Sequence, residues 1–309
     1  MSDIKDIKNR IKSVRDTQKI TNAMYLISST KMNRAKREME QSKPYFTLLE
    51  KEIKRIFLLE NNLRSPYFKD FKKVPEKRRK DEEVEPETCG MLIITANKGL
   101  AGSYNQNVIK AAEKVLKDRE SSLIYTVGEV GYKNLSAMGY SMEHNFNIPS
   151  VPPELYRARQ ITAKILDDFE DGKLNEVYIA YTRFTNGLLG GEAVCEKLLP
   201  LESGRFTAAD EEEKHELLKA RFKFIPSARE VLNQTIRSYI TGYIYYAMVD
   251  SYCAEQNARM VAMDSANRNA DEILSDLSMK YNHVRQGDIT QEITEISSGS
   301  RSLKRKGSR

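Results

Sequence analysis

Ile4, Ile7, Ile11 and Val14 step along the start of the chain by three, four and three, the spacing of a coiled-coil seam. Ile20, Met24 and Ile27 continue an apolar stripe but fall out of register with Val14, which predicts a local slip in the supercoil. Pro44 is the first proline, so the pattern predicts an unbroken helix of about 40 residues, resuming beyond Pro44 through Leu48, Leu49, Ile53, Ile56 and Leu59. At the other end of the chain, residues 231–283 hold no proline and a single glycine, Gly242. Counted from Ser227, a serviceable N-cap with Glu230 three residues on, such a run makes a helix roughly 90 Å long. A rod of that length cannot bury its flanks inside one small domain. It must pack against another rod, enter a partner, or both, and the first forty residues supply a second rod.

Between the rods the pattern changes to short apolar runs alternating with helical stretches. Strands are expected at 91–96 (MLIITA), 122–128, 177–184 and 192–201, and helices at 104–117, 129–137 and 154–171. Residues 140–153 read as loop. This alternation predicts an α/β layer with a largely parallel sheet. The resulting division is an N-terminal helix at 1–60, a charged linker at 61–87, an α/β domain at 88–201, a C-terminal helix at 227–303 and a disordered basic tail at 304–309.

Composition narrows the class. Charged residues make up 30% of the 309 and the net charge is +6, too mild for a nucleic-acid footprint. No apolar run approaches the 18 or more residues that span a bilayer, so no membrane insertion is expected, and the charged N-terminus resembles neither a signal nor a transit peptide. Cys89, Cys195 and Cys253 lie far apart without a C-x-x-C, which fits a reducing compartment better than a disulfide framework. The charge on residues 2–43 is lopsided, eleven basic against five acidic, yet residues 20–30 (ITNAMYLISST) carry none. That gap fits either a face buried in its own coiled coil or a rod passing through a close-fitting sleeve, where charges would be desolvated.

Candidate chemistry is sparse. The turn NKGLAGSYN (97–105) joins a strand to a helix but matches neither G-x-x-x-x-G-K-[ST] nor G-x-G-x-x-G, and Lys98 precedes its first glycine. NGLLGG (186–191) fits a hairpin or loop between two strands. His144, His215 and His283 are isolated, so neither metal spacing nor a hydrolase triad can be built; no catalytic, cofactor or metal residues are expected. More informative is a polar cluster near the end of the second rod, Arg285, Gln286, Thr290 and Glu292, with Ile289, Ile293 and Ile296 beside it, the isoleucines arguing against full exposure. Ala258, Ala262, Ser265, Ala266 and Ala270 form a stripe that admits another helix closely. The alternatives are a coiled-coil scaffold with a nucleotide-binding α/β domain and a basic helical nucleic-acid binder.

IKNRIKSVRDTQKITNAM (7–24), SSTKM (28–32), ITANKGLAGSYN (94–105), LLPL (198–201), ARMVAMDSANRNADEIL (258–274) and YNHVRQGDITQEITEISSG (281–299) together resemble the gamma subunit of F-type ATP synthases, in that family's order over nearly the whole chain. The resemblance implies a rotary shaft: N- and C-terminal helices paired as an antiparallel coiled coil within a ring of alpha and beta subunits, and a central Rossmann-like α/β domain near the membrane c-ring that binds the epsilon subunit. Such a shaft couples transmembrane proton flow to ATP synthesis or hydrolysis on beta and is itself non-catalytic. It implies contact of Met24 and Arg259 with beta's acidic lever region, and of Arg285, Gln286, Thr290 and Glu292 with the upper part of the ring. It also implies a peripheral place on the cytoplasmic face of a bacterial plasma membrane. Ser300 stands where the family has alanine, the insert at 69–87 is longer than usual, and the cysteine-pair insert of chloroplast members is absent, so no thiol switch is expected.

Overall fold

A computed structural model of the chain describes residues 2–60, 63, 65–69, 88–119, 121–150, 152–185, 191–207 and 223–306. Most of the linker expected at 61–87, the loop at 186–190, His215 and the last three residues of the basic tail lie outside them. Described elements run in the order α1 (Ser2–Leu59), β1 (Thr88–Ile94), α2 (Tyr104–Leu116), β2 (Ser121–Val127), α3 (Glu129–Ala137), β3 (Met142–Ile148), α4 (Leu155–Glu170), β4 (Glu176–Arg183), β5 (Glu192–Leu199), α5 (Gly204–Thr207) and α6 (Ala228–Lys306). The chain divides into two compact units, residues 1–28 with 260–309 and residues 29–259.

The first unit is an antiparallel pair of helices. Half-buried positions on α1 fall at 4, 7, 11, 14, 18 and 21, so the three–four spacing never slips. The slip expected at Ile20 is corrected: Gln18 and Thr21 take the seam while Ile20 stays outside, 62% exposed. Polar residues can hold those positions because they are satisfied across the seam. Gln18 donates to the Asp271 carboxylate at 2.7 Å, and Thr21 bonds the Asn267 side-chain oxygen. Polar pairs along a seam favour one register, since a shift breaks both of these hydrogen bonds. Met263, Ala270 and Leu277 are the buried α6 positions here.

The second unit is a five-stranded sheet of order β3-β2-β1-β4-β5, parallel except for β5, which runs antiparallel to β4. Successive residues of β1 serve opposite faces. Met91 and Ile93 pack with α2 and Leu135 of α3, whereas Leu92 and Ile94 pack with α4 and with Ile53, Ile56, Ile236 and Ile240 of the long helices. Residues 140–153, expected to be loop, contain the edge strand β3, whose Phe146 meets Tyr125 edge to face at 5.1 Å.

Pro44 does not interrupt α1. A proline inside a helix costs roughly 3 kcal/mol, and packing within this unit offsets it. The Phe46 ring fills the space over Gly242, where a Cβ would lie 1.9 Å from it, and meets Tyr246 edge-on at 6.3 Å. Ala35 packs with Val249, Tyr252 and Cys253, so here too α1 and α6 run antiparallel. Ser227 caps α6: the Glu230 N–H donates to its Oγ at 3.3 Å. The helix continues to Lys306, into the segment expected as a disordered tail.

Candidate partner interface

In the first unit, large apolar side chains stand outside the seam. Ile20, Leu26 and Ile27 on α1 are exposed, as are Ile273, Met279 and Ile296 on α6, the last at 73%. The uncharged stretch 20–30 thus turns most of its bulk outward, and the isoleucines near the end of α6 are bare in this chain rather than buried. Arg285, Gln286, Thr290 and Glu292 are all solvent-exposed. Gln286 and Thr290 share one helical face, joined by a 2.8 Å bond from the Thr290 hydroxyl to the Gln286 carbonyl, while Arg285 and Glu292 lie two turns apart on another. Such a surface is costly in water and suited to a second protein of matching shape.

In the second unit, the strand order reverses direction between β1 and β4, the crevice where doubly wound sheets bind nucleotides. Here α6 fills it. Ala254 and Ala258 pack on Ala96, Ala101 and Tyr104, the Tyr104 hydroxyl meets Ser251 at 2.7 Å, and the Phe184 N–H donates to Asp250 at 2.9 Å. Arg259 reaches the carbonyls of Lys98 and Gly99 at 3.4 and 3.3 Å and pairs with Glu255 at 2.7 Å. The turn that would cradle a phosphate is occupied by the chain's own helix.

A family model described as ATP synthase matches residues 3–303. An ATP synthase gamma chain of Acetivibrio thermocellus is 36% identical over 306 residues, covering 98% of this chain and all of that one. This chain belongs to the ATP synthase gamma-chain family. A gamma chain of Acetobacterium woodii described as sodium ion specific is 34% identical, with 97% and 98% of the two chains covered. Among solved structures, a chain of the Euglena gracilis mitochondrial ATP synthase, from its OSCP/F1/c-ring assembly, shares the fold with TM-score 0.62 at 15% identity, covering 98% of this chain and 95% of that one.

Within this gamma-chain fold, Met24 is half-buried beside the seam of the first unit. Arg259 belongs to the second unit and its side chain is 12% exposed, turned onto its own chain. The i,i+4 spacing of Glu255 and Arg259 in AEQNARM was a visible signal for that pair; the depth at which it lies was not. The sequence reading also passed over Asp250. This carboxyl is buried, with one oxygen on the Phe184 N–H and the other, Oδ2, without a hydrogen-bond partner among the described residues. Burial pushes it up to about 6, against the pull of Phe184 and Arg183. The folded chain therefore binds this proton more tightly than the unfolded chain does, and the associated stability is lost as pH rises through about 6. Asp250→Asn should raise stability by about 2 kcal/mol at pH 8 and little at pH 4; thermal melts at both values check the difference.

Proposed function

We propose that this chain is the central shaft of an F-type ATP synthase, turning within a ring of alpha and beta subunits and coupling transmembrane ion flow to ATP synthesis or hydrolysis on beta. The observation that carries the reading is the set of exposed apolar side chains on the paired helices, Ile20, Leu26 and Ile27 with Ile273 and Met279, together with the exposed cluster at Arg285 and Gln286. Apolar side chains slide against a close-fitting sleeve without breaking hydrogen bonds at each angle. Polar groups at fixed heights resist particular angles. A shaft with both biases each surrounding site according to its orientation, because its contact free energy differs among their conformations.

In this reading the chain makes no bonds itself, and catalysis belongs to beta. Met24 serves contact with beta's acidic lever region, Arg259 supports that region from within by holding the carbonyls of Lys98 and Gly99, and Arg285, Gln286, Thr290 and Glu292 serve the upper ring. The α/β unit joins the epsilon subunit and the membrane c-ring on the cytoplasmic face of a bacterial plasma membrane. No described helix is long and apolar enough to cross a membrane, which accords with a peripheral place.

Replacing Arg285 and Gln286 together by alanine tests the shaft directly. Both side chains are exposed, so stability of the isolated chain should shift by no more than about 0.5 kcal/mol. ATP-driven ion pumping by the complete complex in membrane vesicles should fall by about fivefold or more at a matched amount of complex. Unchanged pumping would remove the cluster from the coupling surface.

A further inference from the structure

β4 outruns its neighbour β1. Their last register pair is Ile93 with Ala180, yet β4 continues to Arg183. The Thr182 and Phe184 N–H groups therefore have no β1 carbonyl to meet, and an interior N–H needs an acceptor. α6 supplies acceptors from two successive side chains. Ser251 accepts from Thr182 at 3.4 Å, and Asp250 accepts from Phe184 at 2.9 Å. A hydroxyl or an amide would serve both positions without charge. Asp250 instead brings a carboxyl, 2% exposed, whose second oxygen has no hydrogen-bond partner among the described residues.

The charged groups nearby are engaged elsewhere. On β4, Arg183 pairs with Glu196 of β5. On α1, Lys36 lies over the Phe184 ring at 5.4 Å, and Glu38 pairs with Arg34 at 3.1 Å. On α2, the Tyr104 hydroxyl meets Ser251 at 2.7 Å. α6 itself adds Tyr246, Cys253 and, little more than a turn on, Glu255 with its partner Arg259. Burial holds Tyr104, Tyr246 and Cys253 above their ordinary values, Cys253 at about 12, so these three stay neutral up to pH 8. Burial also pushes Glu255 up, against the pull of Arg259.

We propose that the contact between Asp250 and Phe184 is a proton-operated latch fastening α6 to the end of β4: the neutral carboxyl holds it shut and ionisation loosens it. The device belongs to this chain alone, so its failure and that of the shaft reading are separate results. An ionised carboxyl gains hydration when the latch opens, whereas the closed contact serves only one of its oxygens. The carboxyl sits at about 6 in the closed contact and near its ordinary value of about 3.9 once open to water. The closed form is therefore favoured in acid, its advantage falls as pH rises through about 6, and opening grows about tenfold easier between pH 5 and pH 8.

Amide hydrogen exchange of the full chain, corrected for the intrinsic effect of pH on exchange, reads the latch. The Phe184 amide should open without global unfolding, about tenfold or more faster than that of Leu92, which lies on β1 between β2 and β4. Its protection should fall about tenfold from pH 5 to pH 8. Asp250→Asn keeps an acceptor and removes the titration, so protection of Phe184 should then be equal at the two pH values. Phe184 exchanging no faster than Leu92, protection that ignores pH, or an undiminished change in D250N would each overturn the proposal. Should D250N fail to fold, the carboxyl carbon of Asp250 in the unaltered chain, followed by NMR, decides whether the change belongs to this residue or to Glu255. Titration near pH 6 supports the latch, and titration near pH 4 overturns it.

Discussion

Replacing Gly128 by alanine is expected to destabilise the α/β unit by about 4 kcal/mol. Gly128 has φ +96° and closes β2 onto α3, and an added Cβ would lie 2.2 Å from the Thr95 carbonyl oxygen. That oxygen cannot retreat. The Thr95 N–H is held by Val127 at 2.8 Å, the Thr95 hydroxyl lies 3.1 Å from the same carbonyl, and the Gly131 N–H donates to that hydroxyl at 2.9 Å. The strained conformation costs about 1–3 kcal/mol and the overlap a similar amount. Gly139 separates the two contributions. It also has a positive φ, +85°, but an added Cβ meets nothing within 4 Å, so its alanine variant should lose only about 1 kcal/mol. Urea unfolding followed by tyrosine fluorescence suits a chain with sixteen tyrosines and no tryptophan. Equal losses at Gly128 and Gly139 would show that the close approach to Thr95 carries no weight.

Asp168→Ala is expected to cost about 3–5 kcal/mol. This carboxylate on α4 is buried, receives the Tyr125 hydroxyl at 2.7 Å, and pairs with Lys164 at 2.9 Å and Lys173 at 3.0 Å. Removing it strands the Tyr125 hydroxyl inside the core. Burial is the largest single influence on its pKa and pushes it up. The hydrogen bonds from Tyr125, Lys164 and Lys173 outweigh burial and hold the carboxyl below its ordinary value. Its stabilisation is therefore fully present above the ordinary carboxylate pKa of about 3.9 and is lost as pH falls through the lower folded value. Asp168→Asn should keep an acceptor for Tyr125, lose less than the alanine variant, and melt with a weaker dependence on acid below pH 4. An Asp168→Ala chain as stable as the unaltered one would contradict this account.

The two changes fall on positions of very different legibility. The β1, β2 and β4 runs were visible because they are short, largely apolar and bounded by small or polar residues, the composition that interior parallel strands need, whereas the antiparallel edge strand β5 showed as an apolar run ending in LLPL. β3 was not, since MEHNFNI at the sheet edge is mostly polar, with Ile148 its one β-branched residue. The seam of the first unit was misread at Ile20 because hydrophobicity alone was followed. Thr21 and Gln18 belong inside through hydrogen bonds to Asn267 and Asp271, partners some 250 positions away that no local pattern exposes. The inward turn of Arg259 onto Lys98 and Gly99 was not legible, because it depends on where α6 crosses the ends of the strands. The exposure of Arg285, Gln286, Thr290 and Glu292 follows from polar residues near the end of a long helix that packs against a single partner helix.

The central claim is mechanical and is tested most directly by watching the chain turn. A bead or fluorophore attached through Lys133→Cys, on an exposed side chain of α3, would report the orientation of the α/β unit in a complex anchored by its ring. Stepwise rotation in one direction, sustained by ATP and halted by its removal, is the result this account predicts. A complex that hydrolyses ATP at full rate while the probe only fluctuates about a fixed angle would contradict it.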